Sequence, residues 1–196
     1  YLHEVRGERG GVVRNLATTH LLDRLAEAFG EEHREVAVGF KHITAGMDEI
    51  DAVLGGESSG GLTIRGHIKG KDGVFACALV VEMLARTGKT LSELLEQVYA
   101  ITGRLYQVEH GVPATPDLRV ELPRRMASAA PTEIAGYPVT RIDSYDGIKI
   151  HLDGGSWALL RFSGTEPVLR MFVEAETPEK ADQLIAWLEA FASGTQ

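Results

Sequence analysis

The chain has 196 residues, 44% hydrophobic and 24% charged, with 22 glycines, seven prolines, one cysteine and a net charge of −8. This composition excludes collagen-like, disordered and disulfide-stapled proteins, and no apolar run reaches the roughly 18 residues of a membrane helix. Acids outnumber bases 28 to 20, with no basic run beyond Arg124-Arg125, so neither nucleic acid nor membrane is expected as a partner.

Residues 1–5 read as the tail of a helix. With no initiating methionine and no signal peptide, the chain is expected to be a fragment of a larger cytoplasmic protein. Thr18 and Thr19 offer helix caps, Leu21, Leu22, Leu25, Ala26 and Phe29 follow at helical spacing, and Gly30 is a stop. A short strand is predicted at 36–40 and a helix at 47–54, broken by the glycine-rich stretch 55–61. Residues 74–84 are apolar nearly all round, which predicts a buried helix with Cys77 as a small buried hydrophobe. Thr90-Leu91-Ser92-Glu93 has capping-box form, opening a helix to about Thr102 that Gly103 closes. This rhythm is that of an α/β layer and sets a first domain at 1–103.

Residues 104–196 read differently. A strand is predicted at 106–112, a helix carrying Pro123 at 117–127, and a half-buried strand at 148–152, where the pattern alternates. Strands at 157–162 and 168–175 follow, separated by turns at 153–155 and 163–167. Thr177-Pro178 caps a last helix with Ala181, Leu184, Ile185, Leu188 and Phe191 on one face. The expected fold class is thus a layered α/β domain followed by a smaller α+β domain, an antiparallel sheet with helices on one face.

Three stretches carry candidate chemistry. Arg161 to Arg170 forms a turn with Ser163, Gly164 and Thr165 between two arginines, whose planar forks match the oxygens of a phosphate. A hairpin turn whose hydroxyls satisfy its own backbone explains the same spacing equally well. In Gly55 to Gly61, four glycines bracket Glu57 and Ser59, groups able to accept hydrogen bonds from vicinal sugar hydroxyls; a flexible surface loop is the commoner meaning of such a stretch. Lys69-Gly70-Lys71-Asp72-Gly73 stands at a helix entry, where lysine can hold phosphate or exchange protons, though solvated surface charge is the commoner case. Histidines 20, 42, 67, 110 and 151 lack metal-ligand spacing.

Five segments, taken in order, resemble the phosphohexomutase superfamily of phosphoglucomutases and phosphomannomutases. They are Val12-Val13-Arg14 with Thr18-Thr19; 38–43; 56–61; 67–73; and 161–167 with Arg170. The resemblance implies the third and fourth of four domains, the sugar-binding and phosphate-binding ones. The family's phosphoserine loop and Asp-rich Mg²⁺ loop are absent from this stretch, so Mg²⁺ and a hexose bisphosphate activator are implied for the longer enzyme only. By resemblance, Glu57 and Ser59 hold the sugar hydroxyls, Gly39 supplies a backbone contact, and Lys41 lines the same wall. Lys71 assists proton transfer or holds phosphate, and Arg161, Ser163, Gly164, Thr165 and Arg170 clamp phosphate. Ser58 and Phe162 stand where many relatives carry Glu and Pro, which blurs the subfamily. The implied reaction interconverts hexose 1- and 6-phosphates, glucose first and mannose next, through a phosphoserine and a bisphosphate. The implied partners are a hexose phosphate and the missing N-terminal domains, and the fragment alone is expected to be inactive. The alternative is a freestanding phosphosugar-binding module.

Overall fold

A computed structural model describes residues 1–128 and 130–195, which fall into two compact units that divide between Arg104 and Leu105. In the first unit β1 (Val12–Asn15) leads through α1 (Leu21–Phe29) to β2 (His33–Val36). The chain continues through α2 (Phe40–Glu49) to β3 (Leu54–Gly56) and β4 (Leu62–Ile64), and ends in α3 (Gly73–Thr87) and α4 (Leu91–Thr102). The sheet order is β2-β1-β3-β4, with β2 and β3 parallel to β1 and β4 antiparallel to β3.

Adjacent residues of a strand face opposite sides of its sheet. Val13 therefore packs with Ile43, Met47 and Ala52 on the α2 side. Val12, Leu54 and Leu62 face the other side, where α1 and α3 help enclose an apolar cavity of about 280 Å³. Gly55 is built into this core rather than into a ligand loop. A Cβ there would stand 2.5 Å from Ile43 Cγ2 and closer still to Met47 Sδ, both on buried side chains. We expect Gly55→Ala to lower unfolding free energy by about 1–3 kcal/mol through overpacking, measured by urea denaturation.

Three expectations in this unit need correction. The strand lies at 33–36 rather than 36–40, because Gly39, with φ of +130°, turns the chain and starts α2 at Phe40. The helix placed at 47–54 is in fact α2, which ends at Glu49, and Leu54 pairs with Val12 in the sheet. Finally, α3 exists but none of its residues is buried: Val74 and Val81 are 83% and 65% exposed, and Cys77 is exposed as well. Apolarity marks a preference for burial, and only one side of α3 has the sheet to meet.

Helix α4 begins with the capping box at Thr90 and Glu93 and ends at Gly103, whose φ is +74°. Arg24 of α1 donates to the carbonyl of Thr102 at 2.8 Å and ties the two helices together.

The second unit begins with β5 (Tyr106–Pro113) and α5 (Pro116–Ser128). Five strands follow: β6 (Glu133–Ile134), β7 (Tyr137–Asp143), β8 (Ile148–Leu152), β9 (Trp157–Phe162) and β10 (Val168–Ala175). The last element is α6 (Pro178–Ser193). The antiparallel sheet runs β5-β10-β9-β8-β7-β6. Alternate residues Ile148, Ile150, Ala158, Leu160, Leu169, Met171 and Val173 share a core with Ala181, Leu184, Ile185, Leu188 and Phe191 of α6. β6 and β7 escape pattern reading because their residues are mostly polar or half-exposed. β8 is buried on both sides, not half-buried: Lys149 is fully buried, its ammonium 4.3 Å from the Trp157 ring, while the indole donates to Glu174 at 3.0 Å. Among the described residues no helix is long and apolar enough to cross a membrane.

Candidate functional site

Each unit presents one candidate site. In open α/β sheets ligands bind beyond the carboxyl ends of parallel strands, at the crevice where the chain order reverses. Here β1 connects outward to β2 on one side and β3 lies on the other, so that crevice opens between the ends of β1 and β3. Asn15 ends β1, and Glu57 directly follows β3.

The Glu57 side chain is 4% exposed, and its two oxygens differ. Oε1 accepts from the Gly39 amide at 3.2 Å and from Asn15 Nδ2 at 3.3 Å. Oε2 meets Lys71 Nζ at 2.5 Å, and that ammonium lies 5.8 Å from the Phe40 ring. The loop is drawn tight by Glu57 N to Gly61 O at 2.9 Å and Gly60 N to Glu57 O at 3.0 Å. The stem of Lys71 crosses Gly61 so closely that a Cβ would stand 2.7 Å from its Cδ. Ser59 and Lys41 are exposed, the latter in the first turn of α2.

The supporting residues are also charged. Arg14, 2% exposed, donates from Nε to Asp23 Oδ1 at 2.7 Å, from Nη2 to Asp23 Oδ2, and from Nη1 to Glu35 at 2.6 Å and to the Asn15 carbonyl at 3.2 Å. Burial pulls the guanidinium down, but Asp23 and Glu35 outweigh it and hold the pKa above the ordinary value. Asp72 caps α3 through the Phe75 amide at 2.9 Å and meets His67 at 3.1 Å; these two contacts, in that order, lower its pKa. Lys69 pairs with Asp48 on the surface, so of the two lysines at this helix entry only Lys71 reaches Glu57.

In the second unit Arg161 on β9 and Arg170 on β10 are direct cross-strand partners. Like charges so placed repel each other, and carboxylates surround them. Arg161 Nε donates to Asp146 at 3.0 Å, and Arg170 donates to Glu109 at 2.7 Å and to Glu166 at 2.9 Å. Those two partners raise the Arg170 pKa. Ser163 is buried, its hydroxyl accepting from the amides of Thr165 at 3.3 Å and Glu166 at 3.2 Å. Gly164 and Thr165 are exposed at the tip. The turn thus satisfies its own backbone while keeping two guanidinium forks beside it. Behind it, Arg119 of α5 lies 4.7 Å over the Phe162 ring and donates to the Ser163 carbonyl at 3.2 Å.

Sequence reasoning passed over Asn15 and Arg119, and it read Thr18 as a possible cap and as part of the family resemblance without giving it a part in the site. Only Asn15 leaves a local signal, an Asn at the end of the short strand Val-Val-Arg-Asn where a turn begins. The cap of α1 is His20, whose side chain makes no capping bond, while Thr19 Oγ1 accepts from Leu21 N.

Comparison with known proteins matches residues 1–101 to the model described as phosphoglucomutase/phosphomannomutase, alpha/beta/alpha domain III. Residues 118–189 match phosphoglucomutase/phosphomannomutase, C-terminal domain. A phosphoglucomutase/phosphomannomutase of Thermococcus kodakarensis is 34% identical over 180 residues, 91% of this chain and 37% of the relative. A probable phosphoglucosamine mutase of Methanopyrus kandleri is 33% identical over 175 residues, 89% of this chain and 36% of the relative. Among solved structures, a Thermus thermophilus protein whose name includes phosphomannomutase superposes with a TM-score of 0.75 at 32% identity, covering 96% of this chain and 38% of that one. The chain spans a little over a third of the length of these relatives.

Proposed function

This chain belongs to the phosphoglucomutase/phosphomannomutase family, and on that premise we propose that it is the sugar-recognising and phosphate-binding portion of an enzyme interconverting hexose 1-phosphate and hexose 6-phosphate. The observation that carries this reading is Glu57: a buried carboxylate at the sheet's crevice, with one oxygen tied inward and the other turned to a half-exposed lysine. A hydroxyl of the sugar donates to Oε2 in place of Lys71, and the displaced ammonium becomes available to the substrate's anionic group. In the second unit, taken by itself, a phosphate takes the carboxylates' place on Arg161 and Arg170. At Glu57 the exchange leaves both the carboxylate and the ammonium partnered, whereas in the second unit the displaced carboxylates, Asp146, Glu109 and Glu166, turn to water and so compete with the phosphate.

The substrate we put first is a glucose phosphate, with mannose next; glucosamine is the sugar named by relatives such as the Methanopyrus kandleri protein. The family resemblance implies Mg²⁺ for the whole enzyme, but among the described residues no group of three His, Cys, Asp or Glu side chains could hold a metal ion.

Calorimetric titration tests the reading. The chain is expected to bind glucose 6-phosphate more tightly than inorganic phosphate. Glu57→Gln should weaken the sugar phosphate by about tenfold, the scale of one hydrogen bond to a charged group, and leave inorganic phosphate within about twofold. Equal affinity for the two ligands in the unaltered chain would sink the proposal. Mannose 6-phosphate and glucosamine 6-phosphate in the same series rank the sugar.

A further inference from the structure

The backbone ladder between β1 and β3 ends at the pair Arg14 and Gly56. The next residue on each strand is Asn15 and Glu57, and the two continue the pairing through their side chains at 3.3 Å. We propose that Asn15 and Thr18 are positioning residues that aim the Glu57 carboxylate and hold the 57–61 loop. This rests on Glu57 being the acceptor of sugar hydroxyls, as argued above.

The polarity of the network leaves one arrangement. The Ala17 amide, 3.0 Å from the Asn15 side chain, can only donate, so the atom facing it is Oδ1. The Thr18 hydroxyl lies 2.8 Å from that oxygen and donates to it, because an amide oxygen only accepts, while its own oxygen accepts from the Ser58 amide at 2.9 Å. With Oδ1 committed twice, Nδ2 is the group that faces Glu57 Oε1. Asn15, Thr18 and Glu57 are 3%, 5% and 8% exposed, so water does not readily substitute for a lost partner. The turn itself is closed by the Thr18 amide donating to the Asn15 carbonyl at 3.0 Å.

Two consequences follow for recognition. The inner oxygen of Glu57 is held by two uncharged donors, Asn15 Nδ2 and the Gly39 amide, which fix the carboxylate's plane without neutralising its charge. The outer oxygen then presents one direction to a hydroxyl. Through Ser58, the same bracket sets where the loop leaves β3, and so where Ser59 stands. Asn15 and Thr18 thus govern affinity for the sugar without touching it.

Asn15→Asp keeps the shape and the Oδ1 acceptor but turns a carboxylate oxygen toward Glu57. It should weaken glucose 6-phosphate binding by about tenfold or more while inorganic phosphate stays within about twofold. In the Glu57→Gln background the same change should add less than about twofold, because the two residues act as one unit. Thr18→Val should weaken the sugar phosphate selectively and Thr18→Ser should restore it, with circular dichroism confirming the fold of each variant. Should Asn15→Asp fail to fold, the Thr18 pair decides. Loss of both ligands in parallel, full additivity with Glu57→Gln, or no rescue by Thr18→Ser would overturn the proposal. If Glu57→Gln itself leaves glucose 6-phosphate untouched, it is the underlying sugar-site reading that fails.

Discussion

Arg14→Met is expected to destabilise the first unit by about 3–5 kcal/mol, the cost of removing one partner from a buried ion cluster. Arg14 is 2% exposed, and its guanidinium engages both oxygens of Asp23 and one of Glu35. Methionine nearly conserves volume, so the loss comes from leaving two carboxylates beside an apolar group rather than from a cavity. Arg14→Lys should recover only part of it. A point charge on a flexible stem cannot present the planar fork that spans Asp23 while also reaching Glu35 and the Asn15 carbonyl. Urea denaturation measures both variants. A loss below about 1 kcal/mol for Arg14→Met would show that the cluster is effectively solvated, as surface ion pairs are. The same substitution loosens the end of β1, so weaker glucose 6-phosphate binding should accompany it under conditions where the variant remains folded.

What the amino-acid order discloses depends on how local its cause is. The capping box at Thr90 and Glu93, the Gly30 and Gly103 stops and the apolar face of α6 each arise within a few residues, and each can be read directly. The strands β8 to β10 are long enough to show a period. By contrast β2, with the sequence His-Arg-Glu-Val, is four half-buried residues at a sheet edge, and β3 is three residues of which two are glycine. Their identity as strands comes from pairing with β1 across tens of residues, which no local pattern carries. The same holds for the candidate sites. Composition and order single out Glu57, Arg161 and Arg170 as chemically apt. That Asn15 faces Glu57, and that Asp146 and Glu109 face the arginines, is set by where strands end and how they register. The buried Lys149 makes the point most sharply. Its Ile-Lys-Ile-His-Leu context alternates like a half-exposed strand, and only the cross-strand placement of Trp157 supplies the aromatic face that its ammonium meets.

Arg170 permits a test in which two substitutions should move affinity in opposite directions. Its side chain is 41% exposed and is shared between Glu109 on β5 and Glu166 in the turn. If that guanidinium clamps phosphate, the two carboxylates are its competitors, and an incoming anion must displace them. Arg170→Leu should therefore weaken inorganic phosphate binding by about tenfold, toward the lower end for a charge-assisted bond because water screens the site. Glu109→Gln should strengthen it several-fold by weakening the competing pair, and the gain should shrink as salt rises through the range where the Debye length falls below about 10 Å. Neither change should shift thermal stability much, since exposed ion pairs contribute about 0–1 kcal/mol. Arg161 directly opposite gives a reason for small or even favourable stability effects in Arg170→Leu, because one of two like charges is removed. A purely structural arginine, there to bridge β5 and the turn, makes the contrary prediction. Both Arg170→Leu and Glu109→Gln would then break the same bridge, lower stability together and leave phosphate affinity unmoved. Phosphate titrations monitored by nuclear magnetic resonance at two salt concentrations, with melting curves for each variant, separate the clamp from the bridge by the sign of the Glu109→Gln effect alone.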